Sequence, residues 1–334
     1  MSRKLFEPLI QAPNFEDFDE LAENLQGWDL EFTRLDRGSF GGKILQVSGE
    51  EFQFSSFFIS CRHEQRGAPP PGFKTFGILV PTSPAIAFRN HQLDQEGIAI
   101  FPSGEEIDVH APPGWGAFEL SFTENLLESV SQRMGLPLLE DLLVQKDFVL
   151  CHQKALGELK FWLQEMRQQF SAHLCHPLSK GFLEQFIAEV PRRFLNTIDS
   201  FSPIAFQHSL RQRDRAIKKI KEFLTEFPDV PPTIADLCEV AQVSERTLEY
   251  AFQERYEMTP NTYLRFYRLN GVHKSLRARD PASTTVTKVA TDWGFWHFGH
   301  FSSNYRTLFG QLPSETLKKP VRSINSRDLA RLES

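Results

Sequence analysis

Two patterns of apolar residues divide the chain. From Trp28 to Leu120 they come in short runs, FQFSSFFIS, FKTFGILVP, IAFRN and GIAIFPS, separated by Pro69-Pro70-Pro71-Gly72, Ser83-Pro84, Pro102-Ser103-Gly104 and Pro112-Pro113-Gly114. Short runs punctuated by turn formers predict many short strands in an antiparallel sandwich or barrel. From residue 153 onward the spacing turns helical. Leu156, Leu159, Leu163, Met166 and Phe170 step by three and four, a seam two heptads long. It suits a dimer helix, and equally a helix packed on its own β domain. Residues 1–25 read as a loose arm and a short helix, with Phe15, Phe18, Leu21 and Leu25 available for docking.

Further on, the helical spacing repeats as a unit. Ile234, Leu237 and Cys238 form an apolar face, and Ala241-Gln242-Val243 a turn. Ser244 caps a helix that keeps Leu248, Phe252 and Tyr256 on one side. Val286, Val289 and Ala290, then Trp293-Gly294-Phe295, then Phe301, Tyr305 and Phe309 restate it. Each half predicts helix, tight turn and helix, the geometry that lays a second helix in a DNA major groove. Between them Thr259-Pro260 opens and Asp280-Pro281 closes a segment with Leu264, Tyr267, Leu269, Val272 and Leu276 at helical spacing. This predicts one stiff connecting helix over Asn261 to Ala278. Counted from Pro260, such a helix spans roughly 28 Å at about 1.5 Å per residue. That is close to the repeat of about 34 Å between major-groove openings on one face of DNA.

Charge follows the same division. The chain carries −6 overall, yet residues 211–322 hold 18 Lys and Arg against 13 Asp and Glu, a net of +5 that leaves −11 elsewhere. Arg211, Arg213, Arg215, Lys218, Lys219 and Lys221 crowd the entrance to this segment. Arg265, Arg268, Lys274, Arg277 and Arg279 lie along the connecting helix. Such positions can meet phosphates and release counterions, although a solvated helix face would look the same.

Composition narrows the remaining classes. With 334 residues, 40% hydrophobic and 24% charged, the chain has room for two ordinary domains. No apolar run is long enough for a membrane span or a signal peptide, so no membrane partner is expected. Cys61, Cys151, Cys175 and Cys238 are scattered without a C-x-x-C, which predicts reduced thiols in a cytoplasmic protein. His63, His91 and His110 stand apart, so no metal is expected; no nucleophile elbow, P-loop or dinucleotide fingerprint occurs. No cofactor and no catalytic residue are therefore assigned. An apolar effector pocket lined by Phe88, Phe101, His110 and Trp115 is one reading of the β region, and a plain sandwich core is the other.

The segments ADLCEVAQVSERTLEYAF, TPNTYLRFYRLN and WGFWHFGHFSSNYRTLFGQLPSE carry a resemblance. Through them residues 215–319 resemble the DNA-binding domain of the AraC/XylS family of bacterial transcription regulators. The resemblance implies an α+β chain: an N-terminal cupin-like antiparallel β domain with helices, and a C-terminal all-α domain with two helix-turn-helix units. The divisions expected are 1–200 for effector sensing and dimerisation, 201–214 as linker, 215–320 for DNA binding and 321–334 as a flexible tail. It further implies an activator controlled by a small organic effector, double-stranded DNA and RNA polymerase as partners, and a homodimer joined through the helix bearing Leu159, Leu163 and Met166. A repressor, a ligand-independent regulator, or a barrel enzyme fused to a DNA-binding domain are the alternatives.

Groove-facing positions follow from both lines of reasoning. With Leu248 and Phe252 inward, Arg246, Glu249, Tyr250 and Gln253 fall on the outward side of the first recognition helix. Arg suits guanine O6 and N7, Glu can accept from cytosine N4, and Tyr can meet a thymine methyl or a phosphate. In the second recognition helix the resemblance selects His297, Phe298, Gly299 and Ser303, with Arg306 near the backbone. Phe298 would meet thymine methyls, or else it and Trp296 would close the domain core. Thr285 can cap the helix before it and present a phosphate donor.

Overall fold

The computed structural model describes residues 9–11, 14–15, 17–25, 27–38, 40–89, 91–101, 107–136, 147–172, 180–199, 212–227 and 230–318. Of the expected linker 201–214, residues 201–211 lie outside the described residues and 212–214 begin a helix; the expected tail 321–334 lies outside the described residues. Contacts divide the chain into two units, Met1–Thr33 with Ser39–Leu210, and Arg34–Gly38 with Arg211–Ser334.

The first unit opens with Leu9–Gln11 (β1), Asn14–Phe15 (β2) and the helix Phe18–Asn24 (α1), capped by Asp17, which accepts from Glu20 N at 2.8 Å. Then come Asp29–Arg34 (β3), Gly42–Ser48 (β4), Phe52–Ile59 (β5), His63–Ala68 (β6), Lys74–Leu79 (β7) and Ile86–Phe88 (β8). His91–Leu93 (β9), Gly97–Phe101 (β10), Ile107–Ala111 (β11), Trp115–Phe122 (β12) and, later, Phe148–Leu150 (β13) complete the strands. β1 and β2 both pair with β4, and Phe15, Leu21 and Leu25 are buried. Where it is described, the arm expected to be loose is therefore stitched to a sheet. Its strands are three and two residues long, too short to show a period.

One sheet runs β1-β4-β5-β12-β7-β10-β13 with β2 on β4, and the other β3-β6-β11-β8-β9. At its centre β5 pairs antiparallel with β12 from Phe52↔Phe122 to Ile59↔Trp115. Side chains alternate across a strand, and here both faces are covered. Phe52, Phe54, Phe118, Leu120 and Phe122 join a core with three helices, Glu124–Met134 (α2), Gln153–Ala172 (α3) and Lys180–Asp199 (α4). Phe57, Ile59, Trp115 and Ala117 join a second core with Leu30, Ile86, Phe88, Ile107, Val109 and Ala111 of the other sheet. Double burial explains why FQFSSFFIS lacks a clean polar alternation.

The heptad seam on α3 is an internal surface of the β unit and not the expected dimer face. Leu156, Leu159, Leu163 and Phe170 of α3 are each at most 2% exposed and share a core with Phe54, Phe118 and Phe186. Met166 is partly buried against the same core. The seam is filled by the protein's own sheet and α4, so Leu159 and Leu163 are not free to meet another chain.

The second unit consists of Gln212–Glu226 (α5), Ile234–Ala241 (α6), Glu245–Tyr256 (α7), Pro260–Ala278 (α8), Val286–Asp292 (α9), Phe298–Phe309 (α10) and Pro313–Lys318 (α11). Its starts are written in the sequence. Thr233 and Asp236 form a reciprocal capping box on α6, and Ser244, Thr259 and Thr285 cap α7, α8 and α9 through their side-chain oxygens. The two turns close with left-handed residues, Gln242 at φ 56° and Gly294 at φ 79°. α8 spans Pro260–Ala278 as expected, with Leu264, Leu269, Val272 and Leu276 buried. A Cβ at Gly271 would lie 2.1 Å from the Trp293 ring, so only glycine lets the second turn lie flat on α8. There Trp293 Nε1 donates to Ser275 Oγ at 3.0 Å.

A segment distant in sequence completes this unit. Leu35 is 1% exposed within its core. Beside it, Asn270 of α8 accepts from Arg34 N at 3.0 Å and donates to Arg34 O at 2.9 Å. Among the described residues no helix is long and apolar enough to cross a membrane.

Candidate nucleic-acid interface and buried polar core

α7 presents the first candidate reading face. Leu248, Ala251, Phe252 and Tyr256 are buried, which turns Arg246, Glu249, Tyr250 and Gln253 outward, all exposed. These four side chains sit where the spacing places them. Their neighbours add order: Arg246 Nη2 donates to Tyr250 Oη at 3.4 Å, and its guanidinium lies 5.7 Å from that ring. Arg213 also sits 5.2 Å from the Tyr250 ring and pairs with Glu254 at 2.7 Å. An exposed aromatic beside two guanidiniums fits phosphates and guanine edges.

α10 presents the second. Phe301, Tyr305 and Leu308 are buried, and Tyr305 Oη donates to Thr316 Oγ1 at 2.9 Å while contacting His273 Nδ1 at 2.6 Å. The opposite side exposes His297, Phe298, Gly299, His300, Ser303 and Arg306. Trp296 is 69% exposed and Phe298 40%, so neither closes the core. Trp296 and His300 were not among the positions selected from the sequence. The signal was present in the helix phase, since Phe301 and Tyr305 inward leave His300 outward, but a tryptophan beside a turn reads as core by default. His297 occupies the N-cap of α10 without a capping hydrogen bond, leaving N–H groups of the first turn open to an acceptor. Thr285 caps α9 from an exposed position, accepting from Lys288 N at 3.2 Å.

Two of the basic residues marked for phosphate are engaged elsewhere. Lys221 is 7% exposed, with Nζ 6.0 Å from the Tyr256 ring. Arg268 donates through Nη2 to Pro232 O beside Asp236, and burial lowers its pKa. Both serve the packing of the unit, and the exposed Arg215, Lys218 and Lys274 remain on its surface.

In the β unit the four residues read as an effector lining do not converge fully. Phe88 and Phe101 meet edge to face at 5.2 Å, and Trp115 joins the same core through Phe57 at 6.3 Å. His110 lies on the opposite side of β11 from Val109, away from that core. His63, not singled out for this role, is inside it: fully buried and 5.6 Å from Trp115. Its Nδ1 lies 3.0 Å from Cys61 O, so Nδ1 carries the proton and Nε2 is an acceptor. Burial holds the imidazole down to about 4, hence neutral. His63 Nε2, Trp28 Nε1, Trp115 Nε1 and Glu119 Oε2 are buried without a hydrogen-bond partner. Among the described residues no cluster of three His, Cys, Asp or Glu could hold a metal ion.

Comparison with known proteins bears on the helical unit. Residues 237–319 match a family described as a helix-turn-helix domain. The probable thc operon regulatory protein of Rhodococcus erythropolis is 37% identical over 97 residues, 29% of this chain and 29% of that protein. The XylDLEGF operon transcriptional activator 2 of Pseudomonas putida is 33% identical over 112 residues, 33% of this chain and 71% of that protein. A solved structure described as a probable AraC family transcriptional regulator from Rhodopseudomonas palustris CGA009 is 35% identical, covering 31% of this chain and 95% of that one, with a TM-score of 0.28. The likeness spans under a third of the length of several curated relatives.

Proposed function

The chain belongs to the AraC/XylS family of transcription regulators, and from that premise we propose that it binds specific double-stranded DNA through α7 and α10 and activates transcription. The observation that carries this is the pairing of two exposed recognition faces on one helix: α8 runs 19 residues between them, roughly 28 Å of rigid spacer. Arg246, Glu249, Tyr250 and Gln253 read bases in one major groove. His297, Phe298, Gly299 and Ser303, with Trp296 and His300, meet the next, and Thr285 and Arg306 hold phosphates. The short side chains at Gly299 and Ser303 leave this half to apolar contact with thymine methyls.

In the same reading the β unit senses a small organic effector, and the regulator works in the cytoplasm as a homodimer that recruits RNA polymerase. Effector and DNA binding are then one linked equilibrium, each changing the other's affinity by the same factor. The chain performs no chemistry of its own. Footprinting of the full-length protein on DNA flanking its gene tests the proposal: protection of adjacent major grooves on one face supports it, and no protection on any flanking fragment rejects it.

A further inference from the structure

The inner face of the larger sheet changes character along β12. Trp115, Ala117, Glu119 and Ser121 alternate to this side and are all buried. Ala117 lies opposite Phe57 and Leu79, Glu119 opposite Ser55 and Gly77, and Ser121 opposite Gln53 and Thr75. Hydroxyl and amide groups around Glu119 bond one another: Gln46 Nε2 donates to Ser55 Oγ at 3.3 Å, Gln53 Nε2 to Ser48 Oγ at 3.1 Å, and Thr75 Oγ1 meets Ser121 Oγ at 2.8 Å. Glu119 Oε2 is left buried without a partner.

Aromatic rings lie on the same face of the sheet. The space over Gly77, Glu119's neighbour across the strands, is taken by the Phe101 ring, 3.1 Å from where a Cβ would sit. Phe101 meets Trp28 edge-on at 6.1 Å, and Trp28 meets Phe57 edge-on at 6.5 Å. Trp28 Nε1 is itself unpartnered. Among the described residues, this face of the sheet buries no lysine or arginine.

We propose that the interior of the β unit binds a small organic ammonium ion, with Glu119 as its counter-ion and Trp28, Phe57 and Phe101 as its aromatic wall. This names the ligand class for the effector-sensing role and rests on that reading. An anionic ligand would bury its charge on a face that offers no buried cation to offset it. A neutral ligand would leave the carboxyl protonated and draw no charge attraction from it or from the ring faces. An ammonium group supplies N–H donors to Glu119 Oε2 and a positive charge to ring faces that attract one. Burial alone pushes Glu119 up to about 8, so near neutrality it carries a proton. Ammonium binding ionises it and passes that proton to solvent.

The test is calorimetric titration of the full-length protein at pH 7 with primary ammonium compounds from ethylammonium to phenethylammonium, each beside its matching alcohol and carboxylic acid. Runs in buffers of different ionisation heat give the proton count. At least one ammonium compound should bind at least tenfold tighter than its alcohol and acid, with close to one proton released. Glu119→Gln should abolish the release and the preference, and Trp28→Phe should weaken binding at least threefold while both variants melt cooperatively. Alcohol binding as tight as the amine, or binding with no proton released, overturns the ammonium assignment while leaving an effector site in place. No binding by any ammonium compound also overturns it. If a wide panel of neutral and anionic metabolites is silent too, the sensing reading itself falls.

Discussion

Arg246 and Trp296 carry the sharpest expectations, because one was placed by spacing and the other only by the structure. The Arg246 side chain is exposed and hydrogen-bonded to Tyr250 Oη, so Arg246→Ala should cost about 1–3 kcal/mol at one base position of the operator. Affinity measured on operator variants and on random DNA separates the roles, and equal loss on both would make Arg246 a phosphate contact. Trp296 is 69% exposed while Trp28, Trp115 and Trp293 are buried. Operator DNA should therefore shield tryptophan emission from acrylamide, and Trp296→Phe should remove most of that shielding. Unchanged quenching on binding would place Trp296 off the DNA. Both residues show where sequence reasoning has purchase: the polar side of a helix follows from its apolar phase, whereas an aromatic at a turn is ambiguous until its surroundings are known.

The starts of α6 to α9 were legible because each has a capping residue, and the buried stripes of the recognition helices because they keep one period. Ser244, Thr259-Pro260 and Thr285 stand where the helices begin. The β unit was legible as strands but not in its pairings, since β1 and β2 are too short to signal and the central strands are apolar on both faces. The α3 seam shows the limit most clearly. A heptad pattern states that a stripe is buried, not what buries it, and here the sheet and α4 do so. Leu163→Glu should accordingly unfold the β unit, costing more than about 3 kcal/mol as an unpaired buried charge, rather than merely separate two chains. Sedimentation and melting of the variant distinguish the outcomes; a well-folded monomer would return the seam to a dimer interface. Gly271→Ala drives a methyl group into Trp293, and a loss of about 3 kcal/mol in the helical unit is expected from such overpacking. A melting curve within error of the parent would show that the turn can shift off α8.

For the whole molecule, two buried groups set opposing pH dependences. His63 is held down to about 4, so the unfolded chain binds the extra proton between about 4 and 6.5 and stability rises with pH there. Glu119 is pushed up to about 8, so the folded chain holds the extra proton from about 4.5 to 8 and stability falls as pH rises. They offset each other below about 6.5, leaving Glu119 alone above it. Unfolding free energy should drop by on the order of 2 kcal/mol from pH 6.5 to 8, and Glu119→Gln should flatten that fall. A Gln variant with the parent's slope would remove Glu119 as the cause.

Residues 211–322 carry a net positive charge in a chain that is net negative elsewhere, and Leu35 lies in the core of the helical unit. DNA recognition is therefore best measured on the full chain. The most direct measurement is footprinting of flanking DNA across a salt series. The expected result is protection of two major-groove segments one helical turn apart on the same face, with log affinity falling linearly against log salt. Protection of a single groove, or affinity indifferent to salt, would contradict a pair of recognition helices held apart by α8.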